Sequence, residues 1–290
     1  MLLGGIEAGG TKFVCAIGNE AGEVLERIQF DTLTPEETMP NVIEFFKGKD
    51  IEAIGVGCFG PIDPNPNSKT YGYVTSTPKV AWANYDFLGE LKKHFNIPIG
   101  FDTDVNVACL GEATFGAAKE VDSCVYLTIG TGIGGGVLAE GKLLHGLLHP
   151  EMGHMYVRRH PQDIYQGKCP YHHDCFEGVA AGPAIEARWG KKGIELADND
   201  AVWEMEAYYI AQALVNYILT LSPELIILGG GVMKQRQLFP LVHKNVQELL
   251  NGYVQKDEIL KTIDQYIIPP ALEDNAGVSG AIALAKLTIQ

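Results

Sequence analysis

His154, Cys169, His172 and Cys175 gather two cysteines and two spaced histidines into one short stretch of the chain. Two thiolates and two neutral imidazoles form one of the donor sets that close a tetrahedral zinc site, and this set supplies them. His173 stands beside His172 and could take its place as a ligand. Glu151 precedes the set and Glu177 follows it, so a metal here would act as a clamp that aims polar side chains at a nearby ligand. Six of the eight histidines lie between His145 and His173, so the cluster does not arise from even usage.

Three glycine-rich turns form a second feature, each after a short apolar run. They are Gly9-Gly10-Thr11, Gly130-Thr131-Gly132 continuing to Gly136, and Gly229-Gly230-Gly231. Glycine lets the backbone come close to a phosphate and point several N–H groups at it, and two of these turns add a threonine hydroxyl. Gly130 to Gly135 has the spacing of a dinucleotide fingerprint, but that motif needs a helix next, and Val137–Ala139 with Glu140-Gly141 reads as strand and turn. Gly5 to Lys12 comes near a P-loop, with Thr and Lys transposed and a strand following. Both readings fail on context. A third pattern, Asp102-Thr103-Asp104-Val105-Asn106, puts carboxylates where an apolar strand meets a helix. A carboxylate there can serve as a general base or simply cap the helix.

The elements that must hold these groups alternate between strand and helix. Leu2–Ile6 and Lys12–Ile17 read as a hairpin, Glu23–Phe30 as a third strand, and Pro35–Lys47 as a helix capped by Thr34. Ile51–Cys58 is a buried strand running into the rigid turn Phe59-Gly60-Pro61, and residues 65–83 read as a long loop. Phe87–Phe95 is helical, Ile97–Phe101 a strand and Val105–Phe115 a helix. The strand–glycine–strand pattern then repeats at Cys124–Ala139. Helices are expected at 181–188, 202–221 and 277–287, with strands at 225–228 and 266–268. This alternation predicts an α/β architecture with mixed sheets, divided near Ala117–Glu120 into domains 1–117 and 118–290, with the last helix free to pack back on the first domain.

Composition narrows the function. The net charge of −14 argues against a nucleic-acid partner, whose phosphates demand clustered Lys and Arg. Four of the six cysteines sit alone in apolar or small-residue surroundings, as buried free thiols do, which predicts a reducing, cytoplasmic setting. The opening residues lack a signal-peptide pattern and no apolar run approaches a membrane span, so no membrane role is expected.

Together the motifs at Gly5–Lys12, Asp102–Asn106, Ile129–Gly136, Glu151–His154 and Cys169–Gly178 resemble the ROK family of sugar kinases, especially its bacterial fructokinase branch. They fall in family order over almost the whole chain. The resemblance implies a two-domain fold like actin and hexokinase, with ATP bound across a cleft. It implies that Asp104 is the general base, and that Gly60, Pro61, Thr103, Glu151, His154 and Glu177 bind the sugar. Gly9, Gly10, Thr11, Lys12, Thr131, Gly132, Pro183 and Gly229, Gly230, Gly231, Val232 and Met233 would contact ATP. Mg²⁺ and a structural Zn²⁺ are the implied metals, and a homodimer is expected. Repressors of the family carry an N-terminal helix-turn-helix, for which a phosphate hairpin starting at residue 4 leaves no room.

Two positions depart from the family pattern. Glu7 stands where many members have Asp, one methylene shorter, which leaves its contact with magnesium open. Thr103 stands where glucose-specific members tend to have Asn. Both departures look like the fructokinase branch, so the resemblance implies phosphorylation of D-fructose to fructose 6-phosphate. The rivals are a mannose, glucose or amino-sugar kinase and a sugar sensor that has lost catalysis.

Overall fold

The first glycine turn joins β1 (Leu2–Ala8) to β2 (Lys12–Asn19), an antiparallel hairpin beside which β3 (Val24–Asp31) forms the sheet edge. The computed structural model describes residues 1–290. Helix α1 (Pro35–Phe46) begins where local chemistry dictates. The Glu37 carboxylate accepts from the Thr34 backbone N–H at 3.3 Å and from its hydroxyl at 3.0 Å, and Pro35 fills the first helical position, where no donor is needed. Strand β4 (Ala53–Cys58) is buried along its whole length. A short antiparallel pair follows: β5 (Tyr73–Val74) falls inside the stretch expected to be loop, and β6 (Tyr85–Asp86) lies just beyond it. Helix α2 (Phe87–His94), strand β7 (Ile99–Thr103) and helix α3 (Asp104–Phe115) follow.

These strands make a five-stranded sheet in the order β3-β2-β1-β4-β7, in which β1, β4 and β7 run parallel. Strands covered on both faces read as continuous apolar runs, and β2 and β4 do so. Over one face, Phe13 stacks on Trp82 at 5.5 Å and on Phe87 at 6.1 Å. The Trp82 indole N–H donates to the Leu33 carbonyl at 2.7 Å, which gives the buried ring its polar partner.

A second sheet holds β8 (Cys124–Ile129), β9 (Ile133–Ala139), β10 (Lys142–Leu143), β11 (Leu225–Gly229) and β12 (Ile267–Ile268), in the order β10-β9-β8-β11-β12. Both glycine turns that mimic nucleotide motifs are followed by strands, β2 and β9, as the sequence implied. Between β10 and β11 lie α4 (Phe176–Ala180), α5 (Gly182–Trp189) and the long α6 (Asp200–Leu221). Helix α7 (Leu238–Leu250) and two single-turn helices, α8 (Asp257–Leu260) and α9 (Ile263–Tyr266), lead to β12. No helix is long and apolar enough to cross a membrane.

The chain closes with α10 (Ala276–Leu287). It divides into two compact units, Met1–Val121 with Gly136–Pro150 and Ala271–Gln290, and Asp122–Gly135 with Glu151–Pro270. The last helix groups with the first unit, as the sequence allowed, whereas 136–150 also groups there and a single cut after residue 117 does not describe that. Small residues explain how the C-terminal helix fits there. A Cβ on Gly280 would lie 1.7 Å from the Val107 carbonyl oxygen, and one on Gly55 would lie 1.9 Å from that of Ala281. Only glycine lets α10 approach α3 and β4 so closely. The buried Glu112 carboxylate reinforces the contact, accepting from Ala117 N–H at 2.8 Å, Ala271 N–H at 3.2 Å and Leu272 N–H at 2.9 Å.

Candidate active site

In the first unit, register brings the expected residues to one end of the sheet. Ala8 pairs with Cys58, and Cys58 with Thr103, so the carboxyl ends of three parallel strands finish in one row. What leaves that row is Gly9-Gly10-Thr11, then Phe59-Gly60-Pro61, then Asp104. Open α/β sheets bind ligands at this end of their strands. The hairpin tip is closed by Gly9 N–H donating to the Lys12 carbonyl at 3.0 Å, which leaves Thr11 and Lys12 exposed. The Gly60–Pro61 peptide is cis, and the Pro61 carbonyl accepts from both the N–H and the hydroxyl of Thr75.

The cap of α3 is Thr103, whose hydroxyl accepts from Asn106 N–H at 3.1 Å. Asp104 is thus the first residue of the helix and is not needed as its cap. Its carboxylate accepts from Val105 N–H at 2.9 Å, yet burial outweighs the backbone donors and pushes the pKa up to about 6. Glu7, near the carboxyl end of β1, is lifted to about 7, chiefly by burial and next by the charge of Asp104, with Lys12 opposing. Two neighbouring carboxyls thus titrate near neutrality, the range suited to accepting a proton or facing a cation.

Sequence reasoning gave no role to the groups behind Asp104. Asp102 is buried and saturated: Oδ1 accepts from Thr103 N–H at 2.7 Å and from the Asn106 side-chain amide at 2.8 Å, and Oδ2 accepts from His145 Nε2 at 2.8 Å. That last bond, with help from the Leu143 carbonyl, raises the pKa of His145. The buried His149 takes the opposite part. Its Nε2 accepts from Ile62 N–H at 3.2 Å, and burial lowers its pKa. The signal was present in the i,i+4 pair Asp102 and Asn106 and in the crowding of histidines, although neither says which partner each imidazole finds.

The second unit repeats the plan. Strand β8 pairs in parallel with β11, Thr128 opposite Gly229, so both glycine turns leave from carboxyl ends. Gly182 N–H donates to the Gly130 carbonyl at 2.8 Å, which sets the start of α5, with Pro183 as its second residue, against the Gly130 turn. Gly230 has φ of +89°, and a Cβ there would lie 2.4 Å from the Ile129 carbonyl oxygen, so this turn requires glycine. Gly231 is open to its surroundings, while Val232 and Met233 are buried in a 3₁₀ turn. The Glu177 carboxylate accepts from Ile133 N–H at 2.9 Å and lies against Gly132, linking the second glycine turn to α4. Glu151 is exposed ahead of the short turn Met152–His154.

Four donors converge in the same unit. The Nδ1 atoms of His154 and His172 and the sulfurs of Cys169 and Cys175 all lie within 4.8 Å of one another. Individual separations are 3.7 Å for Cys169 to each histidine and 3.5 Å for Cys175 to His154. Zinc bonds of about 2.3 Å to sulfur and about 2.0–2.1 Å to nitrogen, set tetrahedrally, require S···N edges of about 3.6 Å. The donor set therefore fits that ion. His173 is not in it, because its backbone N–H and carbonyl pair with Cys169 and its φ is +56°. The turn presents His172 instead.

Known proteins resemble this chain over nearly its whole length. The sequence profile of the ROK family matches residues 3–288. A Bacillus subtilis (strain 168) protein is 57% identical over 289 residues, covering 100% of this chain and 97% of that protein. The fructokinase of Pediococcus pentosaceus is 49% identical over 290 residues, covering 100% of this chain and 99% of that enzyme. Among solved structures, the ROK hexokinase from Thermus thermophilus superposes with a TM-score of 0.81 at 25% identity, over 100% of this chain and 99% of that one.

Proposed function

Because this chain belongs to the ROK family, we propose that it is an ATP-dependent fructokinase that converts D-fructose to fructose 6-phosphate. Relatives named fructokinase, matched over nearly their full lengths, support this reading. The observation that carries it is the row of strand ends from which the Gly9–Lys12 turn and Asp104 both depart. Phosphate-binding backbone and a tunable carboxylate then serve one reaction.

Asp104 accepts the proton of the terminal sugar hydroxyl as that oxygen attacks the γ-phosphorus and the bond to ADP breaks. A pKa near 6 leaves it mostly ionised at pH 7 and still basic enough to take a proton. The Thr103 cap and the bonds to Asp102 hold the helix turn that carries it, so its position is set before the sugar arrives. Gly60, Pro61, Glu151, His154 and Glu177 are assigned to the sugar. The turns at Gly9–Lys12, Thr131-Gly132 and Gly229–Met233, with Pro183, are assigned to ATP.

Mg²⁺ supplies charge neutralisation on the phosphates when bound, and Glu7 is the carboxylate of the first turn that would face it. A buried acid lifted to about 7 beside Asp104 gains from a nearby cation, so the residue fits that role. Zn²⁺, held by His154, Cys169, His172 and Cys175, stiffens the loop that leads through Cys175 to Glu177. A homodimer and a cytoplasmic location complete the proposal; no cysteine pairs in a disulfide, and the four outside the zinc set are buried thiols, which suits a reducing compartment. Incubation with ATP, Mg²⁺ and fructose, followed by phosphorus NMR of the product, tests the assignment. A 6-phosphate is expected, and no sugar phosphate with any hexose would overturn it.

A further inference from the structure

Residues 144–150 run past the two strand ends that carry the assigned sugar and proton-accepting groups, and they touch each through a histidine. At one end, His145 Nε2 donates to Asp102 Oδ2, the carboxylate whose other oxygen holds Thr103 N–H and the Asn106 amide. At the other, His149 Nε2 accepts from the N–H of Ile62, the residue after Pro61. Little else fixes the intervening residues. Gly146 N–H donates to the Leu148 carbonyl at 2.7 Å, no atom comes within 4 Å of a Cβ built on Gly146, and Leu147 is 97% exposed.

We propose that His145 and His149 form a two-point strap that positions the reaction's machinery: His145 sets the helix turn bearing Asp104, and His149 sets the Gly60-Pro61 turn. The two points have opposite hydrogen-bond polarity. His145 must donate to a carboxylate, while His149 must accept from a backbone amide and so must be neutral at Nε2. Each acts through another residue and neither touches a reacting atom. The assignment of separate kinetic effects rests on the fructokinase reading, whereas the strap itself rests only on these contacts.

The test compares His145→Leu, His145→Gln, His149→Leu and His149→Gln in the full chain. A displacement of about 1 Å at a reacting group can cost about a hundredfold in rate. His145→Leu is therefore expected to lower kcat by roughly tenfold or more with fructose KM changed less than about threefold, and His149→Leu to do the reverse. Glutamine recovers most of each loss, because its amide nitrogen can donate where His145 Nε2 does and its oxygen can accept where His149 Nε2 does. The proposal is overturned if both leucine variants lose kcat and KM alike, or if glutamine is no better than leucine. Should the parent chain phosphorylate no hexose, the fructokinase reading falls while amide hydrogen exchange still decides the strap. Protection at Ile62 N–H should then be lost in His149→Leu and kept in His149→Gln; unchanged protection in both refutes it.

Discussion

Replacing Asp104 with Asn should trade activity for stability. An unfolded aspartate releases its proton near pH 3.9, whereas Asp104 in the fold does so near 6. The folded state therefore binds the extra proton between these values, and stability is lost as pH rises from about 4 to about 6 and stays lost above. At about 1.4 kcal/mol for each tenfold change, the ionised carboxylate is destabilising by about 3 kcal/mol at most. Allowing for relaxation and its partial contact with solvent leaves about 1–2 kcal/mol. Asparagine never ionises and can still accept from Val105 N–H, so at pH 8 the variant should melt a few degrees higher than the parent. Near pH 4 the gap should close. At pH 8 turnover should fall by roughly a hundredfold or more, and the gap should narrow below about pH 6, because the parent's kcat/KM should rise through about pH 6 to a plateau that the variant lacks. Paired thermal melts at pH 4 and 8 and a pH series of ADP release make the comparison. A variant that melts lower at pH 8, or keeps turnover within about threefold of the parent, refutes the reasoning.

Elemental analysis should find one zinc per chain in protein purified without chelator; His172→Ala should lose it and His173→Ala should keep it, because the Cys169 turn presents only His172. Chelation should lower the melting temperature and weaken fructose binding together, read by calorimetry, since the loop ends at Glu177. Gly230→Ala places a methyl against the Ile129 carbonyl at positive φ, so ATP KM should rise by roughly tenfold or more while fructose KM stays within about threefold. Thr103→Asn keeps a competent helix cap, so its melting temperature should hold while glucose improves relative to fructose.

Much of this could be read from residue order alone. Apolar runs broken by glycine gave the two hairpin-like turns, and Thr34 with Pro35 gave the start of α1, because caps and turns are local chemistry. The four metal donors were legible from spacing, although His172 and His173 could not be separated until the backbone pairing of His173 with Cys169 was known. The return of the last helix to the first domain was anticipated, but not the grouping of 136–150 with it. How α10 fits depends on Gly55, Gly111 and Gly280 meeting backbone from distant segments, which no window of sequence holds. Thr103 reads as a sugar contact by resemblance; in the fold its hydroxyl also accepts from Asn106 N–H as the cap of α3, which leaves its O–H as the donor for a sugar, and that second task was not legible from spacing. The links from His145 to Asp102 and from His149 to Ile62 join residues far apart in the chain, which is why the crowding of histidines was visible and its purpose was not.

The central claim meets its most direct test in kcat/KM for ATP-dependent ADP release, measured for fructose, glucose and mannose under matched conditions. A site built around particular sugar hydroxyls leaves buried groups unpaired with the wrong hexose, so fructose should exceed glucose by roughly tenfold or more. Glucose equal to or better than fructose would contradict the fructokinase account.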